Sequence, residues 1–169
     1  RPDLSEAELP AVRINSISPG AVQGIGLRIL AGRDIAEGDR TAGRRVVLVS
    51  ESAAEAWWGG ADLALGRSIR RWNHDEWSDV IGVVADAPLS GRRGAGSDFL
   101  TDVYFLFEVD VQRQLVFLAR SESGASIDPA LLRESARIAA PDLPAYDIRT
   151  MADRLAEQDG LARSAALLG

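Results

Sequence analysis

Cysteine and lysine are both missing from the 169 residues, and histidine occurs once, at His74. Without cysteine there is no disulfide, no thiolate metal site and no thiol nucleophile, an absence compatible with either side of a membrane. Every basic residue is an arginine, and the balance of 19 basic against 25 acidic residues leaves a formal net charge of −6. Such a chain lacks the clustered basic surface that phosphate neutralisation requires, which argues against nucleic acid as a partner. Long apolar runs are missing too. None approaches the ~18 residues that span a bilayer as a helix, and no basic-then-apolar stretch opens the sequence. If the chain belongs to a membrane protein, the spanning segments lie outside these residues.

What is present suits a packed domain. With 46% hydrophobic residues the chain can bury one core or two small subdomains. Arg1 to Pro10 is polar, acidic and holds two prolines, which reads as an arm. Val12, Ile14 and Ile17 roughly alternate with polar residues, as in a half-buried strand. Pro19 suits a first helical turn with Ser18 as its cap, and Gly24 and Gly26 end the short helix before an extended Leu27 to Leu30. Val46 to Val49 is a continuous apolar run of strand length, so both of its faces are expected to be covered. Ser52 and Glu55 have capping-box spacing for an alanine-rich helix that carries Trp57 and Trp58 and stops at Gly59-Gly60.

Further strands are predicted at Ser68 to Trp72 and Trp77 to Ala85, joined into a hairpin by Asn73-His74-Asp75-Glu76. Trp72 and Trp77 flank that turn as a candidate cross-strand pair. Gly82, set among Val80, Ile81, Val83 and Val84, is expected to be buried where another backbone passes close by. Pro88 to Ser97 is the most loop-like stretch. Strands follow at Asp102 to Phe107 and Leu115 to Ala119. Asp128-Pro129 starts a helix that Pro141 and Pro144 end, before a short strand at Tyr146 to Ile148. Thr150 and Asp153 pair as a cap for a C-terminal helix. The order of elements predicts an α+β fold with a mixed sheet.

Chemistry finds little purchase. His74 with Asp75 and Glu76 could hold a metal or move a proton in principle, but adjacent residues at a hairpin tip diverge into water. No G-x-S-x-G elbow is present. Gly24-Ile25-Gly26 has Ile29 where a dinucleotide loop needs its third glycine. Gly91-Arg92-Arg93-Gly94-Ala95-Gly96 could cradle an anion, yet it lacks the lysine and hydroxyl of a P-loop. No catalytic, cofactor-binding or metal-ligating residue is therefore nominated. Trp57 and Trp58 are consecutive on a helix and point about 100° apart, so both cannot easily be fully buried. With Arg92 and Arg93 they are the candidate partner contacts.

Four motifs in fixed order carry a family resemblance: Ser18-Pro19-Gly20, Gly32-Arg33-Asp34, Gly66-Arg67-Ser68-Ile69, and Val80-Ile81-Gly82-Val83-Val84-Ala85-Asp86. Gly26 to Arg33, Arg45 to Ser50, Val103-Tyr104, Asp128-Pro129, Asp142-Leu143-Pro144 and Thr150-Met151 fit the same run. The set resembles the MacB-like periplasmic core domain of FtsX-like ABC transporter permeases, from about Val12 to the C-terminus. Two departures are Ala21-Val22, where the family has an aromatic pair, and Phe105-Leu106, where a proline often follows Val-Tyr.

The resemblance implies an N-terminally incomplete domain of two subdomains. Residues 1–11 would be an arm, 12–31 and 112–150 a split porter-like part, 32–111 an inserted sabre-like part, and 151–169 a helix leading towards a membrane segment. It also implies a non-enzymatic role, without cofactor or metal: coupling cytoplasmic ATP hydrolysis to extracytoplasmic movement for export, efflux or mechanotransmission. The implied setting is the outer face of a bacterial cytoplasmic membrane. The implied partners are an ATP-binding cassette subunit, a second permease copy and an extracytoplasmic protein. The alternative reading is an extracytoplasmic small-molecule or lipid-binding sensor whose pocket the tryptophans and the Gly/Arg loop would line. Flanking membrane segments and an adjacent ATP-binding subunit in the gene would favour the first.

Overall fold

The computed structural model describes residues 12–71, 74–87, 101–107, 116–153 and 156. The chain divides into two compact units, Arg1–Leu118 and Ala119–Gly169.

The first unit is built on one six-stranded mixed sheet. Its strands are β1 (Val12–Ile17), β2 (Ile29–Gly32), β3 (Val46–Ser50), β4 (Ser68–Arg70), β5 (Trp77–Val84) and β6 (Thr101–Leu106). They run in the order β1-β6-β3-β5-β2, with β4 also on β5. β1 is parallel to β6 and β3 is parallel to β5, whereas β3 is antiparallel to β6, and β2 and β4 are both antiparallel to β5. β2 takes Gly82 to Val84 and β4 takes Trp77 to Asp79, so two short strands share one edge of the long one. Elements on both sides of residue 32 thus join a single sheet.

All five residues of β3 are buried, as its unbroken apolar run predicts. On one face Val47, Val49, Val80, Val83, Val103 and Phe105 pack with Ala53, Ala54 and Ala64. Those alanines come from α3 (Glu51–Trp58) and α4 (Ala61–Ala64), and their small side chains let the helices lie close on the valines. On the other face Val46, Leu48, Val84, Tyr104 and Leu106 pack with Val22 and Ile35. Val22 belongs to the short α1 (Ala21–Ile25). The register slips between Val47 and Leu48, whose partners are Val80 and Gly82. Ile81 is the extra residue, and this bulge puts Val80 and Val83 on the same face despite their spacing. Both departures from the family pattern are absorbed by packing: Val22, Phe105 and Leu106 are all core residues.

Three local expectations are corrected. Ser18-Pro19-Gly20 is a turn rather than a helix start: Ala21 N–H donates to Ser18 O at 3.1 Å, and Gly20, at φ 76, is the N-cap of α1. The cap of α3 is Ser50, whose Oγ accepts from Ala53 N–H at 3.3 Å, not Ser52. The β4–β5 register places Arg70, not Trp72, opposite Trp77.

In the second unit α5 (Pro129–Ala139) starts as its sequence dictates, with Asp128 Oδ1 accepting from Ala130 N–H at 2.8 Å and proline in the first turn. The strands expected at Leu115 to Ala119 and Tyr146 to Ile148 do not form over their described residues. Asp147 sits at φ 58, in the left-handed region, which breaks the second run, and its carboxylate is held by Arg149 Nε at 2.5 Å. Thr150 Oγ1 accepts from Asp153 N–H at 3.1 Å and donates to Asp153 Oδ2 at 2.7 Å, so the capping pair forms at Met151–Asp153. The remaining C-terminal stretch, with Gly160, lies outside the described residues, as do the arm at residues 1–11, Trp72, Asn73, and the Gly/Arg loop with Arg92 and Arg93.

Candidate functional site

The second and third motifs converge on the fourth, in β5. Gly32, at φ 73, crosses Ile81-Gly82 at backbone contact: Arg33 N–H donates to Ile81 O at 3.0 Å, and a Cβ on Gly32 would lie 2.9 Å from Gly82 Cα. Conversely, a Cβ on Gly82 would collide with the carbonyl oxygen of Arg33 and stand 3.0 Å from Leu48 Cδ2. Gly82 is therefore buried against a passing backbone, as expected from its place among valines. The third motif docks beside it. Gly66 N–H donates to Val80 O at 2.9 Å, Val80 N–H to Arg67 O at 2.7 Å, and Ser68 Oγ to Asp79 Oδ1 at 2.8 Å.

The ends of β3 and β5 meet at the N-terminus of α3. Ser50 Oγ accepts from Ala53 N–H, and from Asp102 N–H of β6 at 3.1 Å. Asp86 Oδ1 accepts from Ser52 N–H at 3.1 Å and from Ser52 Oγ at 2.9 Å. Exposed N–H groups at a helix start favour an anion, and here the last residue of the fourth motif supplies it. On the adjoining strands Asp102, buried, accepts from Asn15 Nδ2 at 3.3 Å and lies 3.7 Å from Arg13 Nε. Burial, reinforced by the Asp102 charge, raises the Tyr104 hydroxyl well above its ordinary pKa.

The second motif closes a clasp that sequence reasoning missed. From the turn after β2, Arg33 donates from both terminal nitrogens to Asp39, in the first turn of α2 (Glu37–Thr41), at 2.6 and 2.7 Å. The Asp39 side chain is only 3% exposed and also accepts from Ala36 N–H at 3.0 Å. These bonds, the Arg33 fork first, overcome the cost of burial and pull its carboxyl down to about 2. The signal in the sequence was slight: an aspartate six residues after an arginine.

Trp57 and Trp58 are both half-buried, packed on the valine face and on each other edge-to-face, with centroids 5.4 Å apart at 87°. His74, Asp75 and Glu76 are exposed, and Glu76 forks onto Arg45 at 2.5 and 2.6 Å. Among the described residues no three His, Cys, Asp or Glu side chains gather in a metal-ligating group. Trp77 lines an open groove of about 580 Å³ whose lining does not include Trp57 or Trp58, while Trp72 and the Gly/Arg loop lie outside the described residues.

The family model of the MacB-like periplasmic core domain matches residues 3–132, more than half of the chain. The chain belongs to that family. MacB-like domains are parts of ABC transporter permeases that work with ATP-binding subunits. No curated protein matches the sequence. Among solved structures it is similar to the periplasmic region of MacB from Actinobacillus actinomycetemcomitans, with 26% identity and a TM-score of 0.42 over 55% of this chain and 36% of that one. It is also similar to the extracellular domain of the noncanonic ABC-type transporter YknZ from Gram-positive bacteria, with 24% identity and a TM-score of 0.40 over 56% of this chain and 42% of that one. The chain therefore spans less than half the length of either structure. Within this MacB-like chain the second, third and fourth motifs are hydrogen-bonded and packed to one another, which makes them the frame of this part of the sheet.

Proposed function

We propose that this MacB-like domain is the extracytoplasmic part of an ABC transporter permease and works mechanically, carrying movement driven by cytoplasmic ATP hydrolysis to a substrate or partner outside the membrane. The observation that carries the reading is the family match over residues 3–132. The construction of the motifs supports it: their glycines, arginines and acids are spent on backbone crossings, a helix cap and a buried clasp, giving a rigid body that can transmit force. Coupling of this kind needs no reactive side chain, only two packings of an interface that differ by a few kcal/mol. The second permease copy, the outer-face location and partner contacts at Trp57, Trp58, Arg92 and Arg93 are parts of the same proposal.

The test is made in the intact permease with its ATP-binding subunit. The sequence from Met151 onward has apolar residues at near-helical spacing and ends in an uncharged stretch after Arg163, as a helix approaching a bilayer would. Gly160→Pro in that stretch is expected to leave ATP hydrolysis intact and abolish transport. Transport at the parental rate in correctly inserted protein would remove the mechanical reading.

A further inference from the structure

At the start of β3 and β5 the valine face of the sheet ends in a small cleft. Arg45, Val46, Arg71, Ser78, Phe105 and Leu106 enclose about 20 Å³ there, room for one atom the size of a water oxygen. Two of these side chains carry polar groups that the described residues leave unsatisfied. Ser78 is only 8% exposed, yet its hydroxyl makes no hydrogen bond to a described residue. Arg71 is half-buried, with Cζ 4.7 Å from the centre of the Phe105 ring, and has no carboxylate partner among the described residues. The ring contact stabilises the cation but occupies none of its five N–H donors. Arg13, the other half-buried arginine among the described residues, has its carboxylate in Asp102.

Charge selects the class of ligand. Arg45 also lines the cleft, but its fork onto Glu76, at 2.5 and 2.6 Å, balances it. Arg71 therefore leaves one positive charge uncompensated, and no carboxylate lines the cleft. A guanidinium and a hydroxyl, both withdrawn from bulk water, favour an acceptor that takes hydrogen bonds from each. A monoanion restores neutrality, whereas a phosphate dianion would add a second negative charge beside Glu76.

We propose that this cleft is a carboxylate-binding site, one oxygen entering between the Arg71 guanidinium and the Ser78 hydroxyl while the rest of the ligand stays at the mouth. The inference goes beyond the coupling reading and does not depend on it, because it requires only the folded sheet.

The test is a titration of the isotopically labelled 169-residue chain with sodium formate at neutral pH. Parallel titrations use sodium phosphate, sodium chloride and acetyl-glutamate amide. Formate is expected to give saturable shifts of the Ser78 and Phe105 amides and of the Arg71 Nε–H. Arg71→Gln is expected to weaken binding by about tenfold, the scale of one hydrogen bond to a charged group, and Ser78→Ala to weaken it by less. Arg71→Lys keeps the charge without the fork and should fall between Arg71→Gln and the parent. Unchanged amide positions along the centre of β3 verify that each variant is folded. Acetyl-glutamate amide binding as well as formate would assign the site to a protein side chain, and formate binding without it to a free small acid. Absence of saturable shifts, shifts confined to other parts of the chain, phosphate or chloride binding as tightly as formate, or undiminished binding by folded Arg71→Gln or Ser78→Ala would each overturn the proposal.

Discussion

One of the two buried carboxylates among the described residues, Asp39 in α2, makes the first unit sensitive to acid. Its folded value of about 2 lies below the ordinary 3.8, so the ionised form is the one that folding favours. The stabilisation is therefore complete above the ordinary value and is lost as pH falls from about 4 towards 2. Because the partner guanidinium is partly exposed, the contribution is discounted to roughly 1–2 kcal/mol. Urea melts at pH 7, 4 and 2 are expected to show a loss that Asp39→Asn largely removes; a variant with the parental pH profile would show that the clasp contributes nothing. This clasp was hidden in the sequence because burial of an acid depends on which cation the folded chain brings to it. Gly82 was legible for the opposite reason. A residue without a side chain inside a valine strand announces that something occupies the missing volume, and the Arg33 carbonyl does.

At the scale of elements, runs with one dominant local preference were readable and those that depend on partners were not. β3 and β5 follow from continuous apolar residues, and α5 from Asp128-Pro129. The cap of α3 was assigned to Ser52 from local spacing, whereas the fold uses Ser50 within the chain and Asp86 from across it. A contact between residues 34 apart in sequence has no local signature. The same applies to the strands expected at Leu115 to Ala119 and Tyr146 to Ile148: β propensity needs a neighbouring strand to satisfy it. The Asp86 cap yields a specific expectation. Asp86→Ala removes both bonds to Ser52 and the anion at the helix start, and should destabilise the chain by about 0.5–2 kcal/mol. Asp86→Asn keeps an oxygen acceptor and should lose less. Equal denaturation midpoints for the parent and Asp86→Ala would show that Ser50 alone suffices.

At the scale of the molecule, the stabilising interactions among the described residues are concentrated in the first unit. Both apolar clusters, the motif crossings, the Asp39 clasp and the α3 cap all lie within Arg1–Leu118, whereas no described residue from 119 onward is buried. Burying a valine or leucine contributes about 1.5–3 kcal/mol, so a unit with many such residues can support its own cooperative transition. A chain ending at Leu118 is therefore expected to fold, to melt in a single transition, and to keep slow amide exchange along β3 and the central part of β5, where hydrogen bonds are both paired and buried. The mixed sheet is then a body that holds its shape without the rest of the chain, which is what a part that transmits force requires. A truncated chain that exchanges its β3 amides as fast as an unfolded peptide would show that the later residues complete the core, and the rigid element would have to be sought in the two units together.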